Sequence, residues 1–249
     1  MRTLSNIWAV FLRELTAFFF APVAYVVVFV FVLSCGTIFY LNCVSPLQFY
    51  PQQITKILGS LFSFAVFWVL PVSPLLTMRL FAEERRSGTI EMLMTTPVTE
   101  FQVVAGKFLA TQVFYMLIWS TVLLFVLLLQ SLGNPDWGPV WAIYIGLFFL
   151  GLLTNSLGLL ASALSRNQLV AAVLALSGNL AFLIVHLGTW IFYDSAELQR
   201  FFEYLSFSSH FRSDFALGIV DLRYLGYYSS LSVLFLFFSV RVVEANKWR

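Results

Sequence analysis

The side chains able to do chemistry are sparse in this sequence and gather in one stretch. Residues 79–107 read Arg-Leu-Phe-Ala-Glu-Glu-Arg-Arg-Ser-Gly-Thr-Ile-Glu-Met-Leu-Met-Thr-Thr-Pro-Val-Thr-Glu-Phe-Gln-Val-Val-Ala-Gly-Lys. Glu83, Glu84, Arg85 and Arg86 supply charges of both signs, and Ile90, Leu93 and Met94 supply apolar anchors. A polar rim around apolar anchors suits protein docking rather than bond-making. Gly88 permits a break in the helix, and Thr96-Pro97 is a second break. Thr99 and Gln102 form a capping box that restarts the helix. The stretch therefore predicts a short helix held between two turns. The acidic residues Glu83, Glu84, Glu91 and Glu100 do nothing to orient a membrane protein, so topology alone does not account for this composition.

Other candidate centres fail on spacing. Gly106-Lys107 imitates the end of a phosphate-binding loop, but Phe101 stands where that motif needs Gly and Phe108 where it needs Ser or Thr. No His, Cys, Asp and Glu fall at metal-ligand spacing, and no carboxylate pair is poised for hydrolysis. His186, Asn155 and Asn179 offer strongly polar side chains at depth in the long apolar runs. His186 by itself reads as a hydrogen-bonded packing residue rather than a relay. Cys35 and Cys43 lie roughly 12 Å apart along a continuous helix, too far for a disulfide, so two unpaired thiols are expected. Neither an enzyme nor a cofactor site is expected in this chain. If it pumps, the energy arrives from another subunit.

The elements that position the charged stretch follow from composition. Of 249 residues, 60% are hydrophobic and only 10% charged, with 28 Phe. A soluble domain averages about 45–50% and 25%, so this chain uses lipid as its solvent. A net charge of +2 gives no nucleic-acid footprint. A bilayer core needs about 20 apolar residues per helix, and six charge-free runs qualify: 23–41, 57–78, 108–130, 140–164, 169–193 and 225–243, the last relying on Arg241 to snorkel. Apart from that terminal Arg241 these runs contain no Asp, Glu, Lys or Arg, whereas ion-driven transporters usually place ionisable residues in the bilayer. Ten Lys and Arg lie on the side carrying both termini, the 79–107 loop and Arg166, against four (Lys56, Arg200, Arg212, Arg223) on the other. Both termini are therefore expected in the cytoplasm.

Residues 1–21 predict an amphipathic interfacial helix, with Leu4, Ile7, Trp8, Phe11, Leu12, Leu15, Phe18 and Phe19 on one stripe. An anchor and a mechanical element fit it equally. The small residues Thr154, Gly158 and Ser162 of the fourth run predict close helix packing, within one chain rather than between subunits. The outer loop 194–224 predicts two apolar helical pieces that dip toward the membrane. Leu198, Phe201, Phe202 and Leu205 follow a capping Asp194, Ser206–Ser209 form a turn, and Phe211, Phe215 and Ile219 line the second piece.

The 79–107 loop resembles the signature of ABC-2-type permeases, the membrane subunits of ATP-binding-cassette (ABC) transporters. The matching residues are Glu83-Glu84-Arg85, then Gly88-Thr89-Ile90-Glu91, Leu93, Pro97 and Gly106-Lys107. The segment Ser209-His210-Phe211 through Gly218-Ile219-Val220-Asp221-Leu222-Arg223 is similar, more narrowly, to gliding-motility-associated permeases. The resemblance implies an all-α integral membrane fold. It comprises six transmembrane helices, an N-terminal interfacial helix, a cytoplasmic coupling helix between spans 2 and 3, and a re-entrant outer hairpin between spans 5 and 6. It also implies docking of cytoplasmic ABC ATPase subunits on Glu83, Glu84, Arg85, Arg86, Gly88, Thr89, Ile90, Glu91 and Leu93. ATP and Mg would be held by that ATPase. A second copy or a similar permease would complete a dimer in the bacterial inner membrane. ATP-driven transport and an ATPase-driven mechanical scaffold both fit this implied assembly.

Overall fold

The computed structural model describes residues 2–44, 51–88, 98–192 and 195–246, and every regular element among them is helical. Among the described residues six helices are long and apolar enough to cross a membrane, here spans 1 to 6. They are Pro22–Cys43, Ile57–Arg86, Glu100–Ser131, Trp137–Leu164, Gln168–Ile191 and Leu222–Ala245. The chain is a multi-pass membrane protein.

Local chemistry sets the breaks. Helix α1 (Arg2–Phe20) and α2 (Pro22–Val44, span 1) are separated only by Ala21. Pro22 opens α2, where its missing N–H leaves nothing unsatisfied. Span 2 is split at Trp68 into α3 (Pro51–Phe67) and α4 (Val69–Thr77). Pro71 cannot donate to the Phe67 carbonyl, and its ring crowds that carbonyl. A turn leads to the short helix α5 (Ala82–Arg86). Span 3 comprises α6 (Glu100–Ser120) and α7 (Val122–Leu132), joined at Thr121, whose hydroxyl donates to the Ile118 carbonyl at 2.6 Å. Span 4 is α8 (Trp137–Leu164), capped by Asp136 Oδ1 accepting from Gly138 N at 2.9 Å. Span 5 is α9 (Gln168–Ile184), a 3₁₀ turn at Val185–Leu187 and α10 (Gly188–Ile191). The segment between spans 5 and 6 forms α11 (Ala196–Leu205), α12 (Phe207–Ser213) and a 3₁₀ turn at Phe215–Leu217, and span 6 is α13 (Leu222–Asn246).

Span 4 is the hub. Its most apolar stretch is 67% buried, against 22%, 17% and 22% for spans 1, 5 and 6, and it packs on spans 2, 3, 5 and 6. Glycine makes this closeness possible. A β-carbon at Gly151 would collide with Tyr115 of span 3, and one at Gly158 with Thr77 of span 2. The small-residue stripe is thus a seam within the chain, as expected. Cys35 and Cys43 are both free thiols.

The segment between spans 5 and 6 departs from its sequence reading in detail. Only Ser206 interrupts the two helices, because Phe207–Ser209 already belong to α12. Ser195 stands at the N-cap of α11 with no side-chain hydrogen bond to it, and Asp194 lies outside the described residues. Ile219 follows Gly218 beyond the last helical turn and is exposed. Gly218 has φ of 83°, the left-handed conformation that ends such a turn readily. Phe207, Phe211 and Phe215 do face inward, and Gly146 leaves room on span 4 for the last two rings.

Candidate functional site

The charged stretch begins just after α4 ends. After Thr77 the backbone turns, and α5 starts with amide N–H groups that no helical carbonyl can satisfy. Ser162, in the last turn of span 4, meets this need. Its hydroxyl accepts from Phe81 N at 3.0 Å and Ala82 N at 3.2 Å and donates to the Met78 carbonyl at 3.0 Å. Gly158, one turn earlier, lets span 4 approach Thr77. The stripe that reads as packing in the sequence therefore also holds the root of α5.

Lys107 ties the other flank. It sits two turns into α6 and is only 1% exposed. Its ammonium donates to the Leu80 carbonyl at 2.7 Å, Glu84 Oε1 at 2.8 Å and Glu14 Oε1 at 3.0 Å, which uses all three protons. The ammonium also lies 5.2 Å from the Phe81 ring centroid. Arg13 closes the cluster, with Nη2 at 2.6 Å from Glu14 Oε1 and 3.1 Å from Glu84 Oε1. Burial alone would raise the Glu14 carboxyl, but Lys107 and Arg13 outweigh it and hold its pKa below the ordinary value. Two cations and two carboxylates thereby join α1, α5 and span 3.

Helix α1 is consequently more than a raft on the bilayer. Phe11 and Phe18 are buried, and Phe18 stacks on Phe114 of span 3 at 5.0 Å. Asn6 Nδ2 donates to Gln102 Oε1 at 3.2 Å. That same oxygen accepts from Thr99 N at 3.2 Å, while Thr99 Oγ1 accepts from Gln102 N at 3.4 Å, so the expected capping box is present. A β-carbon at Gly106 would reach 2.8 Å from Val10, so glycine there lets α1 lie against span 3. Leu4, Trp8, Leu12 and Phe19 remain exposed, the face suited to lipid.

The site residues read from the sequence fall into four groups. Glu84 turns inward, engaged by Lys107 and Arg13. Glu83, Arg86 and Gly88 stay on the surface, and Gly88 has φ of 72°, which supports a break in the helix there. Arg85 is half-buried with Nη2 enclosed and without a hydrogen bond among the described residues, and Arg166 lies near enough to repel it. Thr89, Ile90, Glu91 and Leu93, with Met94 and Pro97, lie outside the described residues. Sequence reasoning missed Glu14 as a partner and Ser162 as a cap. The Gly106-Lys107 pair was the available signal: a glycine and a cation just before the apolar run at Phe108, which the structure explains by close approach and charge pairing.

Among the described residues no group of three His, Cys, Asp or Glu could hold a metal ion. What the arrangement can do is mechanical: displacing α5 pulls on span 4 through Ser162 and on span 3 and α1 through Lys107. No curated protein matches the chain. The family description "ABC-2 family transporter protein" matches residues 8–213, from α1 through α12, and the chain belongs to that family.

Proposed function

We propose that this chain is the membrane-spanning permease subunit of an ABC transporter, driven by separate cytoplasmic ATPase subunits that hold ATP and Mg. The ATPase docks on residues 83–93, with Arg85 and Arg86 at the polar rim and Ile90 and Leu93 as apolar anchors. Glu84 serves inside, as the post that transmits the push. A second copy or a similar permease packs against the exposed apolar sides of the outlying spans. The excess of Lys and Arg on the side of the termini supports a cytoplasmic location for both, in a bacterial inner membrane. The likeness of 209–223 to gliding-motility-associated permeases belongs to the same reading.

The observation that carries this proposal is the anchorage of α5. Hydrogen bonds to Ser162 and ion pairs to Lys107 and Arg13 leave little slack between a docked partner and spans 2, 3 and 4. The test is co-purification with the cognate ATPase followed by nucleotide turnover in proteoliposomes. Glu91→Arg is expected to detach the ATPase while the permease stays inserted. Ser162→Ala is expected to leave the ATPase bound but lower its stimulation by the permease. Intact binding and full stimulation in both variants would overturn the assignment.

A further inference from the structure

A crevice of about 250 Å³ opens on the termini side, where spans 1, 2 and 5 meet beneath α1. Val23 and Val27 of span 1 and Leu75 of span 2 form an apolar wall, and Arg79, Glu83 and Gln168 line the same crevice. Pockets for drug-sized ligands run to about 300–1,000 Å³. This one suits a headgroup and the first carbons of its chains, with the rest outside. The apolar wall continues into such an environment, because Val23, Val26 and Val30 along span 1 are exposed.

The charges specify the headgroup. Arg79 is half-buried, its guanidinium carbon 4.7 Å from the Phe18 ring centroid. Neither Arg79 nor Glu83 forms an ion pair among the described residues. They stand one helical turn apart on the same chain segment and share the crevice instead. A guanidinium favours phosphate, for which its planar fork is well matched. A simple anionic lipid would satisfy Arg79 and bring no cation to Glu83. A zwitterion that presents phosphate to Arg79 and ammonium to Glu83 satisfies both.

We propose that this crevice binds a phospholipid whose headgroup carries both a phosphate and a primary ammonium. The phosphate is held by Arg79 and Gln168, the ammonium by Glu83, and the acyl chains run along span 1. The inference needs only that the chain sits in a bilayer, so loss of ATPase docking would leave it standing.

The test is native mass spectrometry of the full chain after reconstitution in vesicles of equal phosphatidylethanolamine and phosphatidylglycerol. Wild type is expected to retain phosphatidylethanolamine about tenfold over phosphatidylglycerol, the effect of one charge-assisted hydrogen bond. Glu83→Gln is expected to keep a bound lipid and lose that preference. Arg79→Ala is expected to lose the lipid. Because Arg79 also stacks on Phe18, Val23→Trp supplies an independent arm: it fills the crevice without touching either charge and should also empty it. Equal retention of the two lipids by wild type would overturn the proposal, and so would unchanged retention in Arg79→Ala and Val23→Trp.

Discussion

At the end of the bundle that carries both termini, Arg13, Glu14, Glu84 and Lys107 bring three separate segments together through ion pairs of 2.6–3.1 Å. At the opposite end, rings do the joining. His210 is 1% exposed, stacks on Tyr224 at 3.7 Å and shares a 2.7 Å hydrogen bond with the Tyr228 hydroxyl. Tyr204 and Tyr227 complete the enclosure, and Tyr227 reaches the Leu205 carbonyl at 3.3 Å. Charged pairs connect specific atoms on distant elements and resist being pulled apart. Ring packing spreads contact over a surface and keeps water out without committing to a single direction of force. The first arrangement fits an end that must relay displacement, the second an end that must stay closed.

The largest expected effect comes from removing the cation that this contrast depends on. Lys107→Met leaves two carboxylates facing each other below a single exposed arginine. It should lower stability by about 3–5 kcal/mol, the usual consequence of breaking a buried ion pair. Thermal unfolding of the detergent-solubilised chain measures it. Adding Glu14→Gln should recover part of the loss, and a shift below about 1 kcal/mol for the single variant would mean that the cluster does not hold the segments.

Acid should separate the two ends next. Burial pushes the His210 pKa down to about 4, with the Tyr204 and Glu203 backbone and the Asp214 and Asp221 carboxylates only partly opposing it. An unfolded histidine titrates near 6.5, so in that window the unfolded chain binds the extra proton and stability falls as pH drops. The loss is on the order of 3 kcal/mol between pH 6.5 and 4. Glu14 behaves differently. Its lowered pKa means that its contribution is fully present above its ordinary value of 4.5 and is lost only as pH falls through the lower folded value. Unfolding curves taken in steps from pH 7 to 4 should therefore slope in wild type and flatten in His210→Phe. Equal slopes in the two would sink the assignment.

The smallest effect marks the boundary of the argument. Arg241 and Glu244 form an i, i+3 pair at 2.9 Å with side chains 62% and 38% exposed. Arg241→Ala should change stability by no more than about 0.5 kcal/mol under the same measurement. A larger loss would show that exposed charge near the termini contributes beyond the buried cluster.

Much of the scaffold was legible in the residues. The six spans follow from charge-free runs because lipid tolerates little else, and the Thr99–Gln102 box follows from a spacing of three residues. The start of span 3 was less so. The apolar run begins at Phe108, yet the helix begins at Glu100 and carries Lys107 inside the protein. Hydropathy registers an ammonium as a reason to leave the membrane, and it has no means of seeing Glu14 and Glu84 arrive to neutralise it. The same blindness hid the role of Glu84, which the linear pattern groups with Glu83 as part of an exposed rim. Ser162 escaped for a related reason: a serine in a small-residue stripe signals close packing, but not which amides it will meet.

Composition and local spacing, acting over about one helix length, were enough to dictate which segments become helices long and apolar enough to cross a bilayer, which loops are rich in cations and where the helices pause. Such features depend on the solvent each segment meets and on neighbours a few residues away, so they are written along the chain. The pairing of Glu14 with Lys107 across 93 positions, the seating of Ser162 under α5 and the burial of His210 among tyrosines were decided only when the helices packed. Those contacts depend on distance in space, where a charge is costly or stabilising according to what stands beside it.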